Sequence, residues 1–338
     1  MKEVKVALIG FGGIARAHNV GYNILRGEGE PIKLVAVCDI NPAQFENEIS
    51  INTGSGSGTL PADIHTYTSV DDLLLEEDFD MADICLPSYL HKEYAIKLME
   101  AGKNVLSEKP MALSSEDCDE MLEASHRTGK KLMIGQCLRF DAGYLFIKEC
   151  VDSGVFGKPK HAYFHRLSAH PKWGFEHWFE DDEKSGGCVL DMHIHDVDMA
   201  RFLFGEPKAV SMWSMDGKTR WLLNNTRIYY PDILVALSGS WDEGGAFGFS
   251  AGCRVRFEKA SIVIDCGRVT VYPDEGEAYN PDLPETNYMA EEIRFFAHSI
   301  MDESIVNVNN PPESARETVR VVEKLRESAA LKGEIIKM

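Results

Sequence analysis

No stretch of the sequence stays apolar for the roughly 20 residues that a membrane-spanning helix takes, and Met1-Lys-Glu leads straight into a strand-type run with no signal-peptide pattern. Neither membrane insertion nor secretion is expected. The eight cysteines stand singly, without a C-x-x-C pair, so neither a zinc ribbon nor a thioredoxin-type centre is expected. Several lie inside apolar runs, where cysteine behaves as a small hydrophobe, and the setting predicted is a reducing, cytoplasmic one. Basic residues are few: 35 Lys and Arg stand against 54 Asp and Glu, for a formal net charge of −19. That balance offers no basic face to nucleic acid or to an anionic membrane, and neither is expected as a partner. The glycine-rich stretch from Asn52 to Ala62 lacks the closing Gly-Lys-Ser/Thr of a P-loop and follows no strand. It reads as a flexible surface loop.

What is present is an ordinary globular composition, 44% hydrophobic and 26% charged over 338 residues, enough chain for two domains. Val4–Ile9 is an apolar strand-type run, Gly10-Phe-Gly-Gly-Ile-Ala15 follows, and a helical pattern continues to Leu25. In such a strand–turn–helix, Gly10 permits the tight turn, Gly12 lets the backbone approach a pyrophosphate, and Ala15 lets the helix pack on the strand. The pyrophosphate would sit at the helix amino terminus. A second strand, Lys33 to Asp39, ends in a carboxylate placed to accept from ribose hydroxyls and to repel a 2′-phosphate, which favours NAD over NADP. Asp39 also reads as a turn residue or helix cap before Asn41-Pro42.

Strand and helix patterns alternate to Gln136. Met81–Leu86 is a buried strand stopped by Pro87, and a helix runs from His91 to Gly102. Lys103–Leu106 is a short strand, with Glu108, Lys109 and Pro110 at its carboxyl end, where open α/β sheets bind ligands. Ser114 with Asp117 opens a capped helix, and Lys130–Gln136 closes the series. The pattern predicts a doubly wound parallel sheet of Rossmann type in residues 1–135.

From residue 136 to 338 the alternation breaks. Period-two runs predict an α+β domain with a large, mostly antiparallel sheet, one face of it free for a homodimer or homotetramer contact. Helices near Tyr288–Met301 and Pro312–Leu331 end the chain and are free to pack back toward the first domain. The segment from Leu190 to Gly205 keeps a helical apolar face, so Asp191 and His195, four apart, share one face while His193 points elsewhere. As a strand, Asp191, His193 and His195 would converge on a metal; the helical reading predicts none.

Leu86-Pro-Ser-Tyr-Leu-His91, Ala101-Gly-Lys-Asn-Val-Leu-Ser-Glu-Lys-Pro110 and Gln136-Cys-Leu-Arg-Phe140 resemble, in order along the chain, the Gfo/Idh/MocA oxidoreductases. The resemblance implies NAD contacts from Gly10, Phe11, Gly12, Gly13 and Ile14 in the glycine turn, and from Asp39. It implies further contacts from Leu86, Pro87, His91, Glu108, Lys109 and Gln136, and a cis Lys109–Pro110 bond. It implies a catalytic group of Lys109, Asp191 and His195. His195 would take the hydroxyl proton as hydride leaves for the nicotinamide, Lys109 would hydrogen-bond the reacting oxygen, and Asp191 would orient the pair. Which of Lys109 and His195 carries the proton stays open. Trp173 and Trp178, in an aromatic loop able to wall a sugar ring, and Arg166 are the expected substrate contacts. The activity implied is an NAD-dependent dehydrogenase acting on a secondary alcohol of a sugar, polyol or cyclitol. A lyase or glycosidase with internally recycled NAD and a non-catalytic sugar sensor are the alternatives.

Overall fold

The computed structural model describes residues 3–46, 49–51, 54–56 and 60–338. In chain order the first elements are β1 Val4–Ile9, α1 Gly13–Glu28, β2 Ile32–Cys38, β3 Ile49–Ile51, β4 Gly54–Gly56, β5 His65–Tyr67 and α2 Val70–Glu76. Then come β6 Met81–Ile84, α3 His91–Glu100, β7 Asn104–Glu108, α4 Ser115–Thr128, β8 Leu132–Gly135 and α5 Ala142–Ser153. The later elements are β9 Pro159–Ser168, α6 Asp182–Ser185, α7 Gly187–Asp191, α8 Ile194–Phe204, β10 Ala209–Met215, β11 Leu223–Tyr229 and β12 Leu234–Ser240. The chain ends with β13 Phe249–Phe257, β14 Ala260–Asp265, β15 Arg268–Pro273, α9 Tyr288–Met301, α10 Pro312–Ala330 and β16 Ile336–Lys337.

The chain divides into two compact units, and the division is not a single cut. The first holds residues 1–137 together with Lys172–Trp178 and Asn287–Arg316; the second holds the rest. In the first unit six strands form a sheet in the order β5-β2-β1-β6-β7-β8, all neighbours parallel. Strands buried on both faces run nearly apolar: β8 is wholly so, β1 departs only at Lys5 and β6 only at Asp83. The order reverses between β1 and β6, so the crevice beyond their carboxyl ends is the switch point where such sheets take ligands. α9 joins this unit by packing on α1. Gly21 makes the approach possible, since a Cβ there would stand 3.2 Å from Ile293 Cδ1 and 3.3 Å from the Ala290 nitrogen.

The second unit is an eight-stranded sheet in the order β15-β14-β13-β9-β12-β11-β10-β16. Its pairs are antiparallel except β9 with β12. The sequence pattern suggests no such exception. Parallel neighbours need a long connection, and the chain between them supplies one through α6–α8, β10 and β11. Phe164, Leu237, Val255 and Ile262 are buried on one face, with α8 laid against β9 and β12. The other face leaves Tyr163, Leu223, Leu234 and Tyr272 partly exposed.

Two sequence expectations change. The helix expected from Leu190 to Phe204 is broken at Met192–His193 into α7 and α8. His193 N–H donates to the Cys188 carbonyl five residues back, which widens the turn. The loop expected over 52–62 contains β4, paired with β3, while residues 52, 53 and 57–59 lie outside those described.

Candidate functional site

The turn after β1 is built by backbone demands. Gly10 sits at φ +86°, where a Cβ would stand 2.8 Å from the Cys85 carbonyl oxygen, so no other residue fits without displacing β6. Its N–H donates to the Cys38 carbonyl at 2.7 Å, tying the turn to β2. Gly12 caps α1 with no side chain in its way; a Cβ there would meet open space, and the first turn of α1 holds no acid. Free N–H groups and the positive helix end are left to an anion. Asp39 does two jobs in the turn: Oδ2 accepts from Phe11 N–H at 2.7 Å and Oδ1 from Asn41 N–H at 2.8 Å. The turn-residue reading of Asp39 therefore holds alongside the ribose one, which stays a proposal. Phe11 is buried, with the Arg16 guanidinium 4.7 Å above its ring.

At the ends of β6 and β7, the resemblance-derived residues divide into presented and buried ones. Leu86 and Pro87 follow β6 and are half-buried. His91 is buried, with Nδ1 2.7 Å from the Pro110 carbonyl and Nε2 2.8 Å from the Leu86 carbonyl. It braces the two strand ends from beneath. Burial lowers its pKa against the pull of those carbonyls. Glu108 is 4% exposed and turned inward toward His18. Lys109 is half-buried, and the bond to Pro110 is cis. Gln136 is buried, and its Nε2 has no hydrogen-bond partner among the described residues.

Asp191 and His195 lie in the second unit, one at the end of α7 and one in the first turn of α8. From Ser185 through Arg201 every residue is buried except these two. The broken helix thus still presents the pair outward. His193 turns the other way, toward the sheet, where Nε2 lies 2.9 Å from Thr226 Oγ1. A Cβ on Gly239 would stand 2.6 Å from His193 Nδ1, so the glycine in β12 makes room for the ring. Arg166, expected at a substrate, is only 7% exposed, and its Nη2 donates to buried Asp196 at 3.1 Å; the ion pair holds β9 to α8. Trp173 and Trp178 are half-buried in a segment grouped with the first unit, beside Glu176 and His177 at φ +47° and +56°.

Burial, reinforced by the Arg166 cation, pushes the His193 pKa down to about 3. In the unfolded chain it would titrate near about 6.5. Stability is therefore lost as pH falls below that value, and goes on being lost down to about 3, by up to roughly 1.4 kcal/mol per pH unit. Denaturant unfolding at about pH 7.5 and about pH 5.5 checks this. The wild type should lose more stability across that step than His193→Gln; equal losses would assign the acid sensitivity elsewhere.

The residues that sequence reasoning missed are His18, Tyr22, Asp83 and Glu292, all buried in the first unit. One signal was available: Asp83 sits inside Met81-Ala-Asp-Ile84, a strand otherwise wholly apolar.

Residues 4–136 match the family model described as oxidoreductase family, NAD-binding Rossmann fold, and residues 144–277 match the GFO/IDH/MocA C-terminal domain. A 2,7-anhydro-N-acetylneuraminate hydratase of Mediterraneibacter gnavus is 33% identical over 213 residues, 63% of this chain and 52% of that protein. Inositol 2-dehydrogenase of Salmonella typhimurium is 26% identical over 206 residues, 60% of this chain and 55% of that protein. The chain spans about half the length of the curated relatives it matches. The aldose-aldose oxidoreductase of Caulobacter crescentus, solved with glycerol, superposes with a TM-score of 0.84 over the full length of both chains at 20% identity, a likeness of fold. With both domain models matched in order over a parallel Rossmann sheet and a large antiparallel one, the chain belongs to the Gfo/Idh/MocA oxidoreductase family.

Proposed function

We propose that the chain is an NAD-dependent dehydrogenase acting on a secondary alcohol of a sugar, polyol or cyclitol, with Lys109, Asp191 and His195 as its catalytic group. The observation that carries this reading is the outward presentation of Asp191 and His195 alone from a helical segment otherwise buried. Bound NAD supplies the hydride acceptor. Gly10, Phe11, Gly12, Gly13 and Ile14 form the cradle for its pyrophosphate, with Asp39 on the adenosine ribose. Leu86, Pro87, Glu108, Lys109 and Gln136 stand at the carboxyl ends of β6, β7 and β8, and His91 braces them. His195 or Lys109 removes the hydroxyl proton, and the other stabilises the oxygen as it gains charge. Asp191 orients the base. Trp173 and Trp178 are the proposed sugar-facing walls.

A second reading has its own support, since two relatives in the comparison are named hydratases. The same residues could oxidise, eliminate or hydrate, and reduce again, with no net change in NAD. The open sheet face of the second unit is the proposed homodimer or homotetramer surface, checked by light scattering. All eight cysteines are free thiols, which fits a reducing compartment, and among the described residues no helix is long and apolar enough to cross a membrane.

The test is NADH formation from NAD with a panel of polyols, cyclitols, aldoses and anhydro sugars, with NADP in parallel. The wild type should favour NAD by at least about tenfold in kcat/KM, about 1.4 kcal/mol. Asp39→Asn keeps the acceptor for Phe11 N–H but removes the charge, and should erase most of that preference. Better turnover with NADP in the wild type would overturn the role given to Asp39. Product formation from an anhydro sugar without NADH release would favour the second reading.

A further inference from the structure

Six polar side chains converge, buried, inside the first unit. They are His18 and Tyr22 from α1, Asp83 in β6, Cys85 just after it, Glu108 at the end of β7, and Glu292 from α9. His18 is their hub. Its Nδ1 lies 2.8 Å from Asp83 Oδ2 and its Nε2 3.0 Å from Glu108 Oε1. Ionised carboxylates only accept, and a neutral imidazole donates from one nitrogen alone. Two carboxylate contacts are satisfied together by an imidazolium donating from both. The Tyr22 hydroxyl donates to the same Asp83 oxygen at 2.7 Å. On the far side, Glu108 Oε2 accepts from the Lys109 backbone N–H at 3.0 Å. Gly135 on β8 leaves space for this inward turn, since a Cβ there would lie 3.2 Å from Glu108 Oε1. An unbroken line of contacts runs from Tyr22 through Asp83, His18 and Glu108 to the peptide of Lys109.

The sheet itself does not call for this line. Met81, Ala82 and Ile84 around Asp83 are apolar and fully buried, so an apolar residue would suit position 83, and a charge there is costly unless paired. Asp83 is matched to His18, and the other partner of His18 immediately precedes Lys109. We propose that His18, clamped between Asp83 and Glu108, is a positioning residue that fixes the Glu108–Lys109 peptide and so aims Lys109. The aim of Lys109 rests on the dehydrogenase reading above; the clamp does not.

The surrounding groups fit one cation between two anions. Burial works most strongly against charge on His18, but the charge and hydrogen bond of Asp83, together with Cys85, lift its pKa well above the ordinary value. Burial would raise Glu108, yet the hydrogen bond and charge of His18, then Lys109 and His91, hold it low. Burial, and then Glu108, push Glu292 well up, which favours its neutral form over a third anion; neither of its oxygens has a hydrogen-bond partner among the described residues. Burial holds the Cys85 thiol up at about 12. His18, Asp83 and Cys85 also bring possible metal ligands within 4.8 Å of one another. The 2.8 Å from His18 Nδ1 to Asp83 Oδ2 is nonetheless shorter than the roughly 3.4 Å between two ligands of one tetrahedral zinc at ordinary bond lengths.

The test uses the full chain with 15N-labelled histidine, His18 being assigned by the signal lost in His18→Gln. Both ring nitrogens should be protonated at about pH 8, where an ordinary histidine is neutral. Asp83→Asn, close in size to the wild type and the fallback should His18→Gln not fold, should return His18 to a lower titration. A neutral His18 at about pH 7, or zinc at one equivalent in the purified protein, would overturn the clamp. With a substrate from the panel, His18→Gln should lower kcat by about 10²-fold while NADH affinity, read by fluorescence, stays within about threefold. Glu108→Gln should lower kcat in the same way. An unchanged kcat, or NADH affinity lost in step with kcat, would overturn the positioning role. Should no alcohol in the panel react, the histidine spectra still decide the clamp.

Discussion

Lys109→Met is expected to lower turnover by about 10²–10⁴-fold, the range that a positioned acid–base group supplies, while NADH affinity and folding stay near those of the wild type. The separation follows from where the residue sits. Its backbone N–H is held by Glu108, and its side chain, just past the end of β7, is half-buried and not part of a strand. Removing it creates no large cavity, so stability should change by only about 0.5 kcal/mol. Lys109→Arg separates two roles. A guanidinium keeps the positive charge near the reacting oxygen but does not give up a proton in the working range. If Lys109 carries the proton, Arg should be as poor as Met. If it only stabilises charge, Arg should recover a good part of the rate. His195→Asn answers the same question: loss of the acid limb of the pH–rate profile would assign the proton to His195. Full activity of Lys109→Met on a substrate that the wild type turns over would remove Lys109 from the mechanism.

Much of this architecture was legible in the residues because the first unit obeys local rules. The central strands β1, β2, β6 and β8 are mostly apolar, as buried parallel strands are, Gly10 marks a turn that only glycine fits, and Ser114 caps α4 where its spacing to Asp117 says it should. The helix expected near Tyr288–Met301 is there, and the Asn287 side chain accepts from Ala290 N–H at its start. What escaped was non-local. β11 reads Leu-Asn-Asn-Thr-Arg-Ile-Tyr, polar at most positions, and becomes a strand because β10 and β12 pair with it on either side. The break at Met192–His193 comes from the pull of Thr226 on the His193 ring and from the room beside Gly239, both far away in sequence. At the candidate site the types of residue were readable and their orientations were not. Glu108 and His91 are ligand contacts that the family resemblance implies, and Arg166 is an expected substrate contact. All three turn inward because a buried partner, found only by the fold, takes up their polar atoms: His18, Asp196 and the Pro110 and Leu86 carbonyls.

The largest expected loss of stability comes from Asp198→Ala. Asp198 is buried in α8 and accepts from Arg139 Nε at 2.8 Å and Nη2 at 2.7 Å, a two-pronged pairing. It accepts as well from the Thr318 hydroxyl at 2.7 Å, which ties α10 to α8. Arg201 stands one turn further along α8, its Nη1 4.0 Å from Asp198 Oδ1. Alanine would take its two-pronged carboxylate from the buried Arg139 guanidinium, and removing one partner of such a pair costs about 3–5 kcal/mol. For a unit of this size that is a fall in Tm of about 6–20 °C. The pairing itself is a different quantity, because charges lose hydration on burial. Arg139→Met with Asp198→Leu removes both charges and fills the space, so the double variant should be far more stable than Asp198→Ala, and comparable to the wild type. Thermal unfolding of the two single variants and the double variant measures the coupling directly. A double variant no more stable than either single one would mean that shape at this point, rather than the stranded charge, sets the cost, and that α8 is held by the fit of Arg139 over the Phe202 ring, 5.3 Å away, as much as by its carboxylate.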